Sequence, residues 1–482
     1  MMVLSGNACP QFHNAMKLIA GGQFVKNLPH QKNGWNPSKF QRQAPLSNNM
    51  FPLAGGHGIV FEPLCAAEFS ARKGLRAGRC MVTLEDIRAA RQRIAKSIRV
   101  SPCSYSESFS RLFGGPVYLK LENRQRTGSF KERGALNRIL TLTPEERSRG
   151  VIAASAGNHA QAVAYHAAKQ GIASTICMPI HTPLNKVVST REYGAHVILH
   201  GANYDEAYDE ARRRSEEQDL TFVHAFDSDE VIAGQGTIAL ELLDQCENLE
   251  VVVVAVGGGG LASGIGCAIK ALNPRVRVIG VQTERLPSMK AALAQHCPVT
   301  IPAATTMADG IAVRRAGDHT LPLIREYVDD IVTVGEEEIA NAVLLFLERE
   351  KMLAEGAGAA AIAAVINRRT GAAGKITAVV VSGGNIDVTL LSRIIERGLV
   401  KDGRLIRLRI NLPDYPGALY KLSGIIAHHR ANIIATSHDR AYYGVNLGET
   451  AIDVTLETRG EDHARQLTEA LAAAGYVHER IQ

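Results

Sequence analysis

The run Val251-Val252-Val253-Val254-Ala255-Val256, with the four glycines that follow it, constrains this 482-residue chain more than any other stretch. Six apolar, mostly β-branched residues without alternation describe a strand buried on both faces, as in a parallel sheet covered by helices. Gly257, Gly258, Gly259, Gly260 and Leu261 then lead into a helical pattern over residues 262–272. A turn without side chains lets backbone N–H groups close around a phosphate at the helix start. The same turn also serves as a tight connection and nothing more. No G-x-x-x-x-G-K-[ST] occurs, which excludes a P-loop. Gly257-x-Gly259-x-x-Ala262 meets a loosened dinucleotide pattern. The next strand, 276–281, however ends in Gln282 where a ribose-binding acid would stand, with only Glu284 nearby.

From Met81 the chain alternates helix and strand. Helices are predicted over 84–98, 160–169, 186–193 and 204–218, and strands over 117–122, 151–154, 173–178, 196–200, 222–225 and 376–381. Such alternation predicts an α/β fold of open parallel sheets covered by helices. Beyond Arg404 the pattern changes: Ile406, Leu408, Ile410 and Leu412 alternate with Arg407, Arg409 and Asn411, a half-buried strand. The order βαββαβ over residues 404–482 describes a ferredoxin-like small domain.

Ser129-Phe130-Lys131-Glu132 reads as a capping box, Ser129 pairing with Glu132, and Ala135, Leu136, Ile139 and Leu140 follow at helical spacing. Lys131 then falls in the first turn, where the positive end of the helix favours a neutral amine. Schiff-base chemistry on a carbonyl cofactor needs such an amine. A lysine at a solvated helix start is the plain alternative. Lys131, the segment Ser155-Ala156-Gly157-Asn158-His159, the glycine turn and Ser382 all fall at strand ends or helix starts. That edge is where ligands gather in open α/β sheets, so one site can collect them.

Apolar residues make up 46% and charged residues 21%, ordinary for a globular protein, and no apolar run approaches a bilayer span of about 20 residues. Residues 1–80 hold nine basic and two acidic residues, leaving 45 basic and 46 acidic in the rest. The net charge of +6 therefore belongs to this leader, and the body offers no electrostatic case for nucleic acid or membrane partners. The leader reads as disordered or as an over-extended start, with a transit peptide as the other reading. Eight scattered cysteines without a C-x-x-C pair suggest neither disulfides nor zinc, and point to a reducing, cytoplasmic setting.

Several segments together resemble the threonine ammonia-lyases (threonine dehydratases), fold type II pyridoxal-phosphate enzymes. They are Leu119-Lys-Leu-Glu-Asn-Arg-Gln-Arg-Thr-Gly-Ser-Phe-Lys-Glu-Arg-Gly-Ala135, Ser155-Ala-Gly-Asn-His-Ala-Gln161, Val231-Ile-Ala-Gly-Gln-Gly-Thr237, the glycine turn, Glu355-Gly-Ala-Gly358 and Ser382-Gly-Gly-Asn-Ile-Asp387. The resemblance spans about residues 82–400 and implies a catalytic domain over 81–400, with a smaller subdomain near 120–225. The segment 404–482, with Leu412-Pro-Asp-Tyr-Pro-Gly417, resembles a single regulatory ACT domain.

The resemblance implies pyridoxal 5'-phosphate as cofactor, with Lys131 in Schiff-base linkage and Phe130 against the ring. It implies that Asn158 pairs with the phenolic oxygen, that Gly257, Gly258, Gly259, Gly260 and Leu261 bind the phosphate, and that Ser382 faces the pyridine nitrogen. Ser155 and its loop would hold the substrate carboxylate. The reaction implied is deamination of L-threonine and L-serine by loss of water, in a homo-oligomer (dimer or tetramer) regulated by an amino acid. Serine racemases and β-replacement enzymes share the fold and are the alternatives. The racemases carry a serine where Ala156 stands, and metal carboxylates where Gln282, Leu286 and Ser288 stand, so no metal is expected.

Overall fold

A computed structural model describes residues 81–439, 446 and 448–481. Residues 1–80, read above as a leader, lie outside the described residues. The strands are β1 (Cys103–Tyr105), β2 (Val117–Leu121), β3 (Val151–Ala154), β4 (Ser174–Met178), β5 (His196–Leu199), β6 (Thr221–Phe222), β7 (Val251–Ala255), β8 (Arg277–Thr283), β9 (Asp330–Val334), β10 (Thr377–Val381), β11 (Leu405–Pro413), β12 (Asn432–Asp439), β13 (Glu449–Glu457) and β14 (His478–Ile481).

Three sheets result. The largest has the order β1-β2-β10-β7-β8-β9 and is parallel except for the edge pair β1–β2. Its centre is the valine run. Val251, Val253 and Ala255 enter one apolar core, while Val252, Val254 and Val256 enter another. The period-two alternation of a strand thus puts one core on each face of the sheet. The Ala/Gly-rich helix Gly356–Ile366 covers the first face, and the helices Asp229–Gln245 and Gly260–Leu272 cover the second. Small residues let the last two helices approach closely: a Cβ on Gly264 would stand 2.3 Å from the Ile232 carbonyl oxygen.

The second sheet, β5-β4-β3-β6, is wholly parallel and has its own core of Ala135, Ile139, Val151, Val163, Ile176 and neighbours. The third, β12-β13-β11-β14, is antiparallel. Its two inner strands are the first and third of the domain, which is the ferredoxin-like arrangement. Ile406, Leu408, Ile410 and Leu412 pack there against Leu422, Ile426, Leu467 and Leu471. Among the described residues no helix is long and apolar enough to cross a membrane.

Two local expectations need correction. The first helix ends at Ile94 rather than 98. The capping box does not form: helix Lys131–Leu140 has Phe130 as N-cap without a side-chain bond, and the Ser129 Oγ is buried without a partner. Tertiary pairing explains this. Ser129 bridges Gly383, and the Phe130 N–H donates to the Ser382 carbonyl at 3.0 Å, so the segment is held by the end of β10. Glu132 instead accepts from the Thr127 N–H and contacts His166 Nε2 at 3.3 Å.

The start of this helix is also anchored by charge. Arg133 donates to Glu122 and Glu241, and Lys120 Nζ lies 2.6 Å from Glu241, all four side chains being buried. Burial works against an ionised Glu122, but Arg133, Ser101 and Lys120 together outweigh it and hold the carboxyl below its ordinary range.

Candidate active site

A cavity of about 270 Å³ lies at the carboxyl ends of the strands. Phe130 and Lys131 line it from the start of helix Lys131–Leu140, and Ser155 and Asn158 from the turn between β3 and helix Asn158–Lys169. The turn Gly257, Gly258, Gly259, Gly260 and Leu261 lines it after β7, and Ser382 after β10. The structure therefore brings Phe130, Lys131, Ser155, Asn158, Gly257, Gly258, Gly259, Gly260, Leu261 and Ser382 to one cavity.

The glycine turn is shaped for close approach. Gly259 takes φ +104°, and a Cβ on Gly258 would lie 2.3 Å from the Phe226 ring. Helix Gly260–Leu272 opens here, and the first N–H groups of a helix have no partner within it. The cavity wall also holds Gln235, 1% exposed, whose Nε2 has no hydrogen-bond partner.

Lys131 Nζ donates to the Ala225 carbonyl at 2.7 Å and stands 5.2 Å from the Phe130 ring centre. Burial lowers its pKa to about 8, with Glu355 acting in the opposite direction. Two neutral imidazoles sit nearby: burial, and then the Lys131 charge, push His159 and His224 down to about 3. His159 Nε2–H donates to the Val223 carbonyl at 2.9 Å, leaving Nδ1 without a partner. His224 Nδ1 accepts from the Asp227 N–H at 2.8 Å.

Ser155 Oγ accepts from the Gly157 N–H at 3.2 Å. Asn158 Nδ2 donates to Glu355 Oε1, and Asn158 Oδ1 accepts from Asn385 Nδ2, both at 2.7 Å. Ser382 uses its carbonyl to hold Phe130. Burial, then Asp309, push the Glu355 carboxyl up to about 7. Lys186 Nζ and Asp309 pair at 2.6 Å on the cavity wall. Gln235, Glu355, Lys186 and Asp309 also line the cavity, and the sequence alone does not mark them as site residues. Gln235 and Glu355 fall within the segments 231–237 and 355–358, but nothing local distinguishes them from packing residues.

Among the residues discussed for a metal, Gln282 Oε1 accepts from the Lys290 N–H at 3.0 Å. Ser288 Oγ donates to the Val313 carbonyl at 2.6 Å, and Leu286 is buried. The cavity itself fits a phosphate-bearing aldehyde: a glycine cradle, a buried unpaired amide and a lysine of lowered basicity.

Residues 94–383 match the family model described as pyridoxal-phosphate dependent enzyme, and the chain belongs to that family. Within it, a relative from Thermotoga maritima named L-threonine ammonia-lyase is 50% identical over 396 residues, covering 82% of this chain and 98% of the relative. The processed form of threonine deaminase isoform 2 from Solanum lycopersicum superposes with a TM-score of 0.62 at 35% identity, covering 65% of this chain and 91% of that one. Maize serine racemase superposes with a TM-score of 0.63 at 33% identity, covering 67% of this chain and 99% of that one.

Proposed function

We propose that this chain is a pyridoxal 5'-phosphate-dependent threonine ammonia-lyase, deaminating L-threonine to 2-oxobutanoate and ammonia, and L-serine to pyruvate and ammonia. The observation that carries this reading is the convergence of a lysine of lowered basicity and a glycine cradle in one cavity, in a chain 50% identical to an L-threonine ammonia-lyase over 98% of that relative's length. When bound, the cofactor supplies an aldehyde for linkage to an amine and a ring that draws electrons from Cα.

Lys131 would hold the aldehyde, Phe130 would pack on the ring, and Asn158 would donate to the phenolic oxygen. Gly257, Gly258, Gly259, Gly260 and Leu261 would hold the phosphate with backbone N–H groups and the helix dipole. Ser382 would face the ring nitrogen with a hydroxyl, which, unlike a carboxylate, would not force that nitrogen to be protonated. Ser155 and the start of helix Asn158–Lys169 hold the substrate carboxylate. The Lys131 amine, once freed by the substrate, takes the proton from Cα. The electron pair left behind would form the Cα=Cβ bond as the Cβ–O bond breaks, and the hydroxyl would leave as water with a proton from the phosphate of the bound cofactor. The released enamine tautomerises and hydrolyses to the 2-oxo acid and ammonia.

Ala156 carries no ionisable proton, so nothing at that position can return a proton to Cα from the opposite face. Elimination should therefore exceed racemisation. Incubation with L-threonine should yield 2-oxobutanoate and ammonia in equal amounts without added Mg²⁺; D-serine formation from L-serine with several-fold Mg²⁺ activation would instead support a racemase.

The domain over 404–482 is read as a regulatory ACT domain. Asp414 to Gly417 joins β11 to helix Ala418–His428, with Gly417 at φ +92° as its N-cap, a connection suited to an amino-acid effector such as isoleucine or valine. A homo-oligomer and a cytoplasmic setting complete the reading.

A further inference from the structure

Asn158 is held at both ends of its amide. Its Oδ1 accepts from Asn385 Nδ2, which also donates to the Thr127 carbonyl at 2.6 Å. Asn385 is thereby fixed as a donor toward Asn158, so Asn158 must present its oxygen there. At the other end, one Nδ2 hydrogen goes to Glu355 Oε1 at 2.7 Å. Glu355 is 4% exposed and borders the cavity, and its Oε2 takes no hydrogen bond among the described residues. A proton on the carboxyl can sit on Oε2, so Oε1 accepts in either charge state. An Asn158 amide has two N–H bonds; this arrangement leaves one of them unpaired on the cavity wall.

The surrounding backbone is built to allow it. The Glu355 N–H donates to the Gly383 carbonyl at 3.1 Å, and a Cβ on Gly383 would lie 2.2 Å from Glu355 Oε1. A Cβ on Gly128 would likewise lie 2.4 Å from Asn385 Oδ1. Three separate segments therefore crowd around one amide with side chains excluded at two contact points.

We propose that Glu355 and Asn385 are positioning residues that lock the Asn158 amide so that it offers the cavity a hydrogen-bond donor and never an acceptor. The ligand group this suits is an anionic oxygen, and the inference rests on the reading that Asn158 meets the cofactor's phenolic oxygen. A flipped amide would present Oδ1 to that oxygen and repel it. Gln at 355 keeps the accepting oxygen; Ala does not.

The test uses full-length holoenzyme carrying N158A, E355A, E355Q, N385A and the double variant N158A/E355A. Cofactor affinity and the pH midpoint of the bound cofactor's visible absorbance are measured, with melting temperatures as a fold control. E355A and N385A should weaken cofactor binding about tenfold and raise the absorbance midpoint, because the phenolic oxygen loses its donor. E355Q should stay within about twofold of the parent, and the double variant should be no worse than N158A alone. Additive effects in the double variant, or an unmoved midpoint and affinity in both E355A and N385A, would overturn the proposal. An unmoved N158A would also overturn it, and would show that the assigned role of Asn158 is wrong while leaving cofactor binding at Lys131 intact.

Discussion

Lys131 can act near neutral pH because its surroundings cost the ammonium form its hydration. Burial is the larger influence, the anionic form of Glu355 the smaller opposing one, and the net result is a pKa near 8. The folded amine is thus neutral at a pH where an ordinary lysine is still protonated. Incorporation of cofactor into apoprotein should accelerate with rising pH and level off above about 8; a rate still climbing past pH 10 would show an unperturbed lysine. If Lys131 is both the covalent anchor and the Cα base, Lys131→Ala should lower kcat by at least about 10²-fold.

At the scale of elements, what matters is how strand ends and helix starts are pinned. Gly258→Ala would drive a methyl into the Phe226 ring, and overpacking of that kind costs about 1–3 kcal/mol. The variant should retain its fold by circular dichroism but need markedly more cofactor for half-saturation; unchanged cofactor affinity would count against the turn as the phosphate site. Glu241→Ala leaves Lys120 and Arg133 short of a buried partner, and such losses cost about 3–5 kcal/mol. Urea denaturation should reveal that drop directly.

The same scale shows what could be read before the fold was known. The valine run, the glycine turn and the βαββαβ order were legible because each is written in a short window: apolar runs, missing side chains, a change of period. The helix from Lys131 was legible too, but its capping box was not real. Ser129 and Phe130 are claimed by Ser382 and Gly383, some 250 positions away, and tertiary pairing displaced the local bond. The Lys120–Glu122–Arg133–Glu241 cluster and the Asn158–Glu355–Asn385 chain were illegible for the same reason. Their members carry no periodicity and meet only when two sheets and their helices assemble.

In the whole molecule, the two parallel sheets that frame the candidate site precede the antiparallel sheet of residues 405–481. If that domain reads an amino acid, isoleucine should lower the rate of threonine deamination by the full-length protein. Asp414→Ala should abolish the isoleucine effect while leaving the basal rate within about twofold, and undiminished inhibition in that variant would place the effector elsewhere.

All of this depends on which amine holds the cofactor. Reduction of the holoenzyme with borohydride, followed by digestion and mass spectrometry of the peptides, should find the pyridoxyl-phosphate mass on Lys131 alone. A label on another lysine, or none on any, would contradict the account.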